Sequence, residues 1–188
     1  MVQITSLIGD VESARSNFLS EIDIIGTQME SWKQDTSSWS VTDVTEHLVW
    51  AEQGGILMMW KAFQAQQQGQ YWEGERLNDG LTIEDIVTRT WRHENGRPKE
   101  EAPASAAPRL GGPLAYWKSA LLACQTQLNA LGEQLRQVPE HELDRIIYPH
   151  VIMGPLNVVQ RLEFLRFHLD HHRAQIKRIK ESILQKQN

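Results

Sequence analysis

Four long segments of this sequence repeat apolar residues at steps of three and four, the spacing that collects them on one face of an α-helix. They predict helices over about residues 10–33, 40–63, 113–138 and 156–184. Ser40 and Asp43 form a helix-capping pair at the start of the second helix. Gly54 and Gly55 indicate a bend or a close helix contact further along it. No segment shows strand-like alternation of convincing length, so we expect an all-α fold.

Residues 67–112, between the second and third predicted helices, have a different composition. They contain one short helical candidate, TIEDIVTRTWRHE, and then a Pro/Ala/Gly-rich stretch that predicts a loop. A connection of this length allows the two helices that it joins to lie parallel, whereas a short loop forces them antiparallel. We therefore predict a single domain over residues 1–188, a four-helix bundle with a long crossover between helices two and three. The crossover is a candidate cover for a site, with Tyr71, Trp72 and Trp91 either lining an apolar pocket or anchoring the core.

Charge and cysteine content narrow the classes of function. The formal net charge is −5 and no long run of Lys or Arg occurs, which argues against a nucleic-acid partner. The apolar stretch GGILMMWKAF is too short to cross a bilayer and no signal peptide is evident, so we predict a cytoplasmic protein without a membrane partner. Cys124 is the only cysteine, and its apolar helical surroundings predict a buried thiol rather than a nucleophile.

Helical phase sorts the three histidines of FHLDHHRAQI in the last predicted helix. His172 falls within the apolar stripe of that helix, and His168 lies four residues earlier at the edge of the same face. His171 sits roughly 130° from the centre of the stripe, at about 100° per residue, and should not reach the same place. The phase therefore predicts an inward-facing pair, His168 and His172, and a bystander, His171.

An inward-facing pair of this kind has the spacing of a metal chelate. Side chains four residues apart on a helix stand roughly 5–6 Å apart at Cβ. Two imidazoles so placed can converge on one ion at Zn–N distances of about 2.0–2.1 Å. A third ligand has to come from a neighbouring helix, and His47 is the candidate because it flanks the apolar face of the second helix. The set His47, His168 and His172 would leave positions open for water or substrate.

Other interpretations of these residues stay open. A histidine beside an apolar stripe is more often a hydrogen-bonded core residue than a ligand, so a metal-free bundle is an alternative. Asp43 is better explained by capping, and Glu46 by a solvated face, than by general-base catalysis. Asp170 is predicted to point outward, and Gln175 to be a helix-surface amide. No catalytic residue is assigned.

Three stretches together resemble the DinB/YfiT-like superfamily: WSVTDVTEHLVWAE around His47, YPHVIMGPLNVVQRLEFLRFH before the last helix, and HLDHHRAQI within it. The resemblance implies a four-helix bundle of up-down-down-up topology. It also implies a divalent metal held by one histidine of the second helix and an H-x-x-x-H pair of the last, which map to His47, His168 and His172. Ala174 replaces a common glycine. The order Pro149-His150 differs from the family's usual His-Pro, so the resemblance assigns His150 no role.

The resemblance implies a broad range of activities. Relatives include metal-dependent transferases that use low-molecular-weight thiols, such as bacillithiol S-transferases and mycothiol-dependent isomerases, and metal-dependent hydrolases. We therefore expect a small-molecule substrate, a divalent ion (zinc or nickel first, iron or manganese as alternatives) and, for transfer chemistry, a thiol cofactor. A homodimer is also expected. The rival hypothesis is a non-catalytic metal-binding or dimeric interaction protein.

Overall fold

The computed structural model describes residues 2–91 and 102–187 of the chain. These residues form six α-helices, a short 3-10 helix and a two-stranded antiparallel sheet. The helices are α1 (Val2–Asp23), α2 (Val41–Gln67), α3 (Ile83–Thr90), α4 (Leu114–Leu135), α5 (Glu140–Leu143) and α6 (Val158–Gln187), and the strands are β1 (Ile147–His150) and β2 (Gly154–Asn157). None of the described helices is long and apolar enough to cross a membrane.

The second helix begins where its capping pair predicted. The Ser40 hydroxyl accepts a hydrogen bond from the Asp43 backbone N–H at 3.1 Å, and the Asp43 carboxylate accepts one from the Ser40 N–H at 2.8 Å. This reciprocal pair satisfies donors that a helix start leaves free. The first helix differs from its prediction at both ends. It begins at Val2 because Ile4 and Ile8 extend its buried face, and it ends at Asp23.

The four long helices α1, α2, α4 and α6 form the bundle around one core. α1 packs against α6 and α4, and α2 packs against α4 and α6. Lys118, early in α4, pairs with Asp23 at the end of α1, while Gly132, late in α4, lies against Ile8 near the start of α1. Inside the core, the buried Arg15 side chain donates hydrogen bonds to Glu52 and Gln125, which links α1, α2 and α4.

The segment between α2 and α4 packs its short helix, α3, against α6. Trp91 directly follows α3 and lies beside Phe164 of α6, with 6.2 Å between ring centroids. Tyr71 and Trp72, for which the sequence left open pocket lining or core anchoring, belong neither to the cavity beside the three histidines nor to the described core clusters. Tyr71 lies beneath the Arg145 guanidinium at 3.7 Å, and the Trp72 indole donates to the Glu75 carbonyl. The last residues of the predicted short helix, 92–94, and the first residues of the predicted loop, 95–101, lie outside the described part of the chain.

The expectation that no strand would form was wrong. β1 and β2 pair antiparallel, with Tyr148 opposite Leu156 and Pro149 opposite Pro155. Each strand has four residues and contains a proline, so neither is long enough for alternation to appear in the sequence. The Asn78 side-chain amide donates to the carbonyls of Met153 and Pro155 at 2.8 and 2.7 Å, which ties the segment between α2 and α4 to this hairpin.

Candidate metal centre

Three histidines from two helices meet in the interior of the bundle. α2 supplies His47, and α6 supplies His168 and His172 one turn apart. Each is 5% exposed. The Nε2 atom of His168 lies 3.1 Å from Nε2 of His47 and 3.0 Å from Nε2 of His172. The three potential ligand atoms all lie within 4.8 Å of one another.

The hydrogen bonds behind two of these rings fix where their protons are. Nδ1 of His47 lies 2.9 Å from the carbonyl oxygen of Ala106, which can only accept a hydrogen bond. Nδ1 of His172 lies 2.7 Å from the side-chain oxygen of Gln175, also an acceptor. Both Nδ1 atoms must therefore carry the proton, which leaves a lone pair on each Nε2 when the ring is neutral. Gln175 is thus not the plain surface amide that the sequence suggested.

His168 cannot satisfy both neighbours. Its Nε2 atom carries at most one proton, yet it faces the Nε2 lone pairs of His47 and His172. At least one lone pair is left without a donor in a buried site. A cation resolves this conflict, because all three nitrogens can donate electron pairs to it.

The spacing of the nitrogens also fits an ion. Two nitrogens that are each about 2.0–2.1 Å from one ion lie about 2.9 Å apart at a right angle and about 3.4 Å apart at a tetrahedral angle. The two distances from the Nε2 atom of His168, 3.0 and 3.1 Å, fall inside this interval. The residues present therefore fit a divalent ion. The oxygens of Ala106 and Gln175 would hold the rings of His47 and His172 in the orientation that directs Nε2 at that ion.

Burial keeps the three rings in the form that binds metals. It lowers the pKa of His47 to about 4 and the pKa values of His168 and His172 well below their ordinary range. All three are neutral at pH 7, and a neutral imidazole needs no deprotonation before it binds an ion.

His171 lies beside this group without joining it. The structure leaves His171 out of the three-histidine group, in line with its phase, and places its ring 4.9 Å from that of Trp91. Asp170 points away from the site and pairs with Arg166 at 3.2 Å. Cys124 is buried in α4, which confirms the prediction of a buried thiol, and burial raises the pKa of that thiol to about 12.

A cavity of about 1250 Å³ opens onto the three histidines. Its walls are largely aromatic near the three histidines. Trp39 lies 4.9 Å from the His47 ring, Trp91 lies 6.0 Å from the His168 ring, and Phe164 stacks on His168 at 5.2 Å. The arrangement gives a small molecule a partly apolar chamber with the nitrogen cluster in its wall.

Sequence reasoning misplaced Glu46, which is fully buried rather than solvated. Its carboxylate accepts hydrogen bonds from the backbone N–H groups of Arg109, Leu110 and Gly111 at 2.7–2.8 Å, and from the Trp50 indole at 3.1 Å. Burial acts to raise the pKa of Glu46, but these hydrogen bonds outweigh it and hold the pKa below its ordinary value. Glu46 therefore anchors the end of the segment between α2 and α4, which also presents the Ala106 carbonyl to His47.

Sequence reasoning also left His150 and Arg161 unassigned, and both line the cavity. His150 accepts hydrogen bonds at Nδ1 from the backbone N–H groups of Ile152 and Met153, at 3.2 and 3.3 Å. No local sequence signal marks it, because its position depends on the hairpin. Arg161 had a signal, since it precedes His168 by seven residues and so shares its helix face.

Comparison with known proteins gives one family and one fold. The family model of the DinB superfamily matches residues 11–176. The structure is similar to that of YfiT from Bacillus subtilis, described as a probable metal-dependent hydrolase with an unusual four-helix bundle topology. The two share 13% sequence identity with a TM-score of 0.55, and the match covers 96% of this chain and 87% of YfiT. At this identity the likeness concerns the fold. No curated protein matches the sequence.

Proposed function

This chain belongs to the DinB superfamily, and from that premise we propose that it holds a divalent metal ion with His47, His168 and His172 and acts as a metal-dependent enzyme on a small molecule. One observation carries the proposal: three buried Nε2 atoms converge where their protons cannot satisfy one another. A metal-free bundle with purely hydrogen-bonded histidines would leave that conflict in place.

The chain's own residues would orient the ligands and exclude water. Ala106 and Gln175 hold the Nδ1 protons of His47 and His172, so both rings present Nε2 to the same point. Trp39 and Phe164 shield the rings from bulk solvent. A divalent ion with three neutral histidine ligands supplies Lewis-acid chemistry that activates water or a thiol as a nucleophile. Zinc or nickel is the proposed ion, with iron or manganese as alternatives.

We propose hydrolysis or thiol-dependent transfer as the reaction class. The description of YfiT as a probable metal-dependent hydrolase supports the first. For the second, the thiol has to come from a cofactor, because Cys124 is buried outside the cavity lining. The large cavity favours an enzyme over a non-catalytic metal-binding protein, which has no need of a chamber beside its ion.

We also propose the up-down-down-up course of the four helices and a long crossover between α2 and α4. The Lys118–Asp23 pair and the Ile8–Gly132 contact support antiparallel α1 and α4. The approach of His47 to His168, and of Ala51 to Arg161, supports antiparallel α2 and α6. The single domain over residues 1–188, the homodimer and the cytoplasmic location stay predictions from the sequence.

Metal analysis of protein purified without a histidine tag tests the metal site. We expect about one equivalent of divalent metal in the wild type, and less than a tenth of an equivalent after His47→Ala, His168→Ala or His172→Ala. His171→Ala is the matched control and should keep its metal. Equal loss in that control, or no metal in the wild type under conditions that do not strip it, would contradict the proposal.

Screening for activity tests the reaction class. The metal-loaded protein is assayed with an esterase and amidase panel, and beside it with bacillithiol, mycothiol and glutathione against electrophiles. Activity that His168→Ala abolishes and His171→Ala preserves would support an enzyme. A loaded protein that is inactive in both panels would favour the non-catalytic alternative.

A further inference from the structure

Arg161 is a buried cation in the wall of the cavity that opens onto the histidines. It is 3% exposed and lines the same cavity as His168. Both residues are on α6, seven positions apart. Seven residues are close to two turns of a helix, so the two side chains start from one face about 10 Å apart along the axis.

Most of the hydrogen-bonding capacity of Arg161 is unused. Its Nη2 atom lies 3.3 Å from the carbonyl oxygen of Ala51, but Nε and Nη1 have no hydrogen-bond partner among the described residues. Those two atoms carry three N–H donors of a group that stays charged in proteins. The buried Glu52 carboxylate acts on Arg161 electrostatically but is hydrogen-bonded to Arg15, so it leaves these donors unsatisfied. Because unsatisfied buried donors of a charged group are costly, a partner from outside the chain is expected.

The surroundings of the guanidinium form a built niche. A Cβ atom at Gly55 of α2 would lie 2.8 Å from both Cζ and Nε of Arg161, so only glycine leaves room for the guanidinium there. The ring of Phe164 lies 5.0 Å from Cζ on another side. Glycine and aromatic ring together fix the guanidinium against α2, which explains the close contact that the paired glycines suggested in the sequence.

The hairpin adds two more polar groups to the same cavity. Tyr148 and His150 are two positions apart on β1, and both line the cavity. The buried Tyr148 hydroxyl makes no hydrogen bond of ordinary geometry among the described residues, and it lies close enough to the Arg161 guanidinium to interact with it. His150 accepts hydrogen bonds at Nδ1, so its proton in the neutral ring is on Nε2. Tyrosine hydroxyl, imidazole N–H and guanidinium are all donors, and donors are what an anion requires.

We propose that Arg161, with Tyr148 and His150 beside it, is an anion subsite, and that the small molecule bound in this cavity carries a carboxylate or phosphate group. The inference rests on the proposed function only for the position of the reacting group, which would lie toward the three histidines, about two helical turns away. Of the described residues that line the cavity, only Glu181 near the end of α6 is acidic. A divalent ion and Arg161 would therefore give the chamber a positive potential that selects anions.

Matched acids and amides test the charge requirement directly. Calorimetry would compare 4-phenylbutanoate with 4-phenylbutanamide, hexanoate with hexanamide, and phenyl phosphate with phenol. Each pair is measured on the protein with its metal content determined and on the same protein after chelation. We expect at least one acid to bind tenfold or more tightly than its neutral partner in both states, and Arg161→Gln to reduce that preference to twofold or less.

Two further variants serve as a second test and as a control. Gly55→Ala keeps Arg161 but displaces its guanidinium, and it should also lose the preference, which covers the case in which Arg161→Gln fails to fold. Arg178→Gln removes the other arginine among the described cavity-lining residues, and this variant should retain the preference for the acid. Three results would overturn the anion subsite. The preference for the acid could survive in Arg161→Gln or Gly55→Ala, it could occur only with metal present, or every wild-type pair could lack it. Absence of metal together with an Arg161-dependent preference would instead refute the proposed function and leave the subsite intact.

Discussion

Two arginines are buried among the described residues of this bundle, and their hydrogen bonding differs. Arg15, 2% exposed, donates to Glu52 and Gln125 and so has its charge partner within the chain. Arg161, 3% exposed, has one contact with a carbonyl oxygen and faces a cavity. The burial of a charge has a similar cost in both places. At Arg15 the chain's own side chains offset that cost and link three helices. At Arg161, beside the cavity, we infer that a bound ligand offsets it.

The largest effect is expected at the paired arginine. Arg15→Met leaves the Glu52 carboxylate buried without its cation, so the free energy of unfolding should fall by about 3–5 kcal/mol. Chemical denaturation monitored by circular dichroism measures this. The double variant Arg15→Met/Glu52→Leu removes both charges and should recover most of the loss. If the single substitution cost no more than the double one, the pair would not be what holds α1 to α2.

A smaller effect is expected at the metal centre itself. Gln175→Leu removes the acceptor that orients His172, which should weaken metal affinity by about 10–100-fold, since outer hydrogen bonds of metal-binding histidines are worth that much. Competition with a chromophoric chelator measures the affinity. Gln175→Glu keeps an acceptor and should bind the metal at least as well as the wild type. An unchanged affinity in Gln175→Leu would mean that packing alone holds the ring.

A fall in pH should lower the free energy of unfolding through His150, in the cavity wall, rather than through Arg15 and its partners. Burial and the nearby Arg161 lower the pKa of His150 to about 3. The unfolded chain, with an ordinary histidine pKa near 6.5, therefore binds the proton first, and stability is lost as the pH falls from about 6.5 toward 3. For this residue the loss is about 1.4 kcal/mol per pH unit. His150→Asn retains an acceptor for the hairpin N–H groups.

Denaturation of chelated protein at pH 7.5 and 5.5 measures the His150 contribution. The stability difference between the two pH values should be about 1.4 kcal/mol smaller in His150→Asn than in the wild type. Equal pH dependence in the two proteins would show that His150 becomes protonated in the folded chain as readily as in the unfolded one.

The smallest effect on stability is expected at the unpaired arginine. Arg161→Met removes a buried charge whose Nε and Nη1 atoms have no hydrogen-bond partner among the described residues, and on which the buried Glu52 carboxylate acts only electrostatically, and it keeps a side chain of similar length. The free energy of unfolding should change by at most about 1 kcal/mol, with an increase as the expected sign. The same denaturation experiment as for Arg15→Met gives the comparison. A loss as large as that of Arg15→Met would erase the distinction between the two arginines.

What the sequence could predict was mostly local. The Ser40–Asp43 cap and the phase of His168, His171 and His172 depend on residues within one or two turns, where helix geometry is regular. The position of Gln175 one turn after His172 was also visible in the sequence. That spacing alone does not show whether the amide contacts the histidine ring or lies on the surface. Arg161 stood in register with His168 and was overlooked because charged residues beside a stripe are usually solvated.

What the sequence could not predict depends on distant segments. Glu46 has the composition of a surface residue, and its true partners are backbone N–H groups 63–65 residues later along the chain. Every residue except proline has a backbone N–H, so the residue types of a segment do not show which of these groups a distant carboxylate will bind. The hairpin of β1 and β2 was missed for a related reason, since its position depends on Asn78 of the crossover rather than on its own short pattern.

The tryptophans beside the histidines make the chain its own optical probe. Trp39 lies 4.9 Å from the His47 ring, and Trp91 lies 6.0 Å from the His168 ring. At such separations a paramagnetic ion such as copper or nickel on those rings would quench indole emission, whereas zinc, with its filled d shell, would change it little. The intrinsic fluorescence of the unlabelled protein would then report both occupancy of the centre and the electronic type of its occupant.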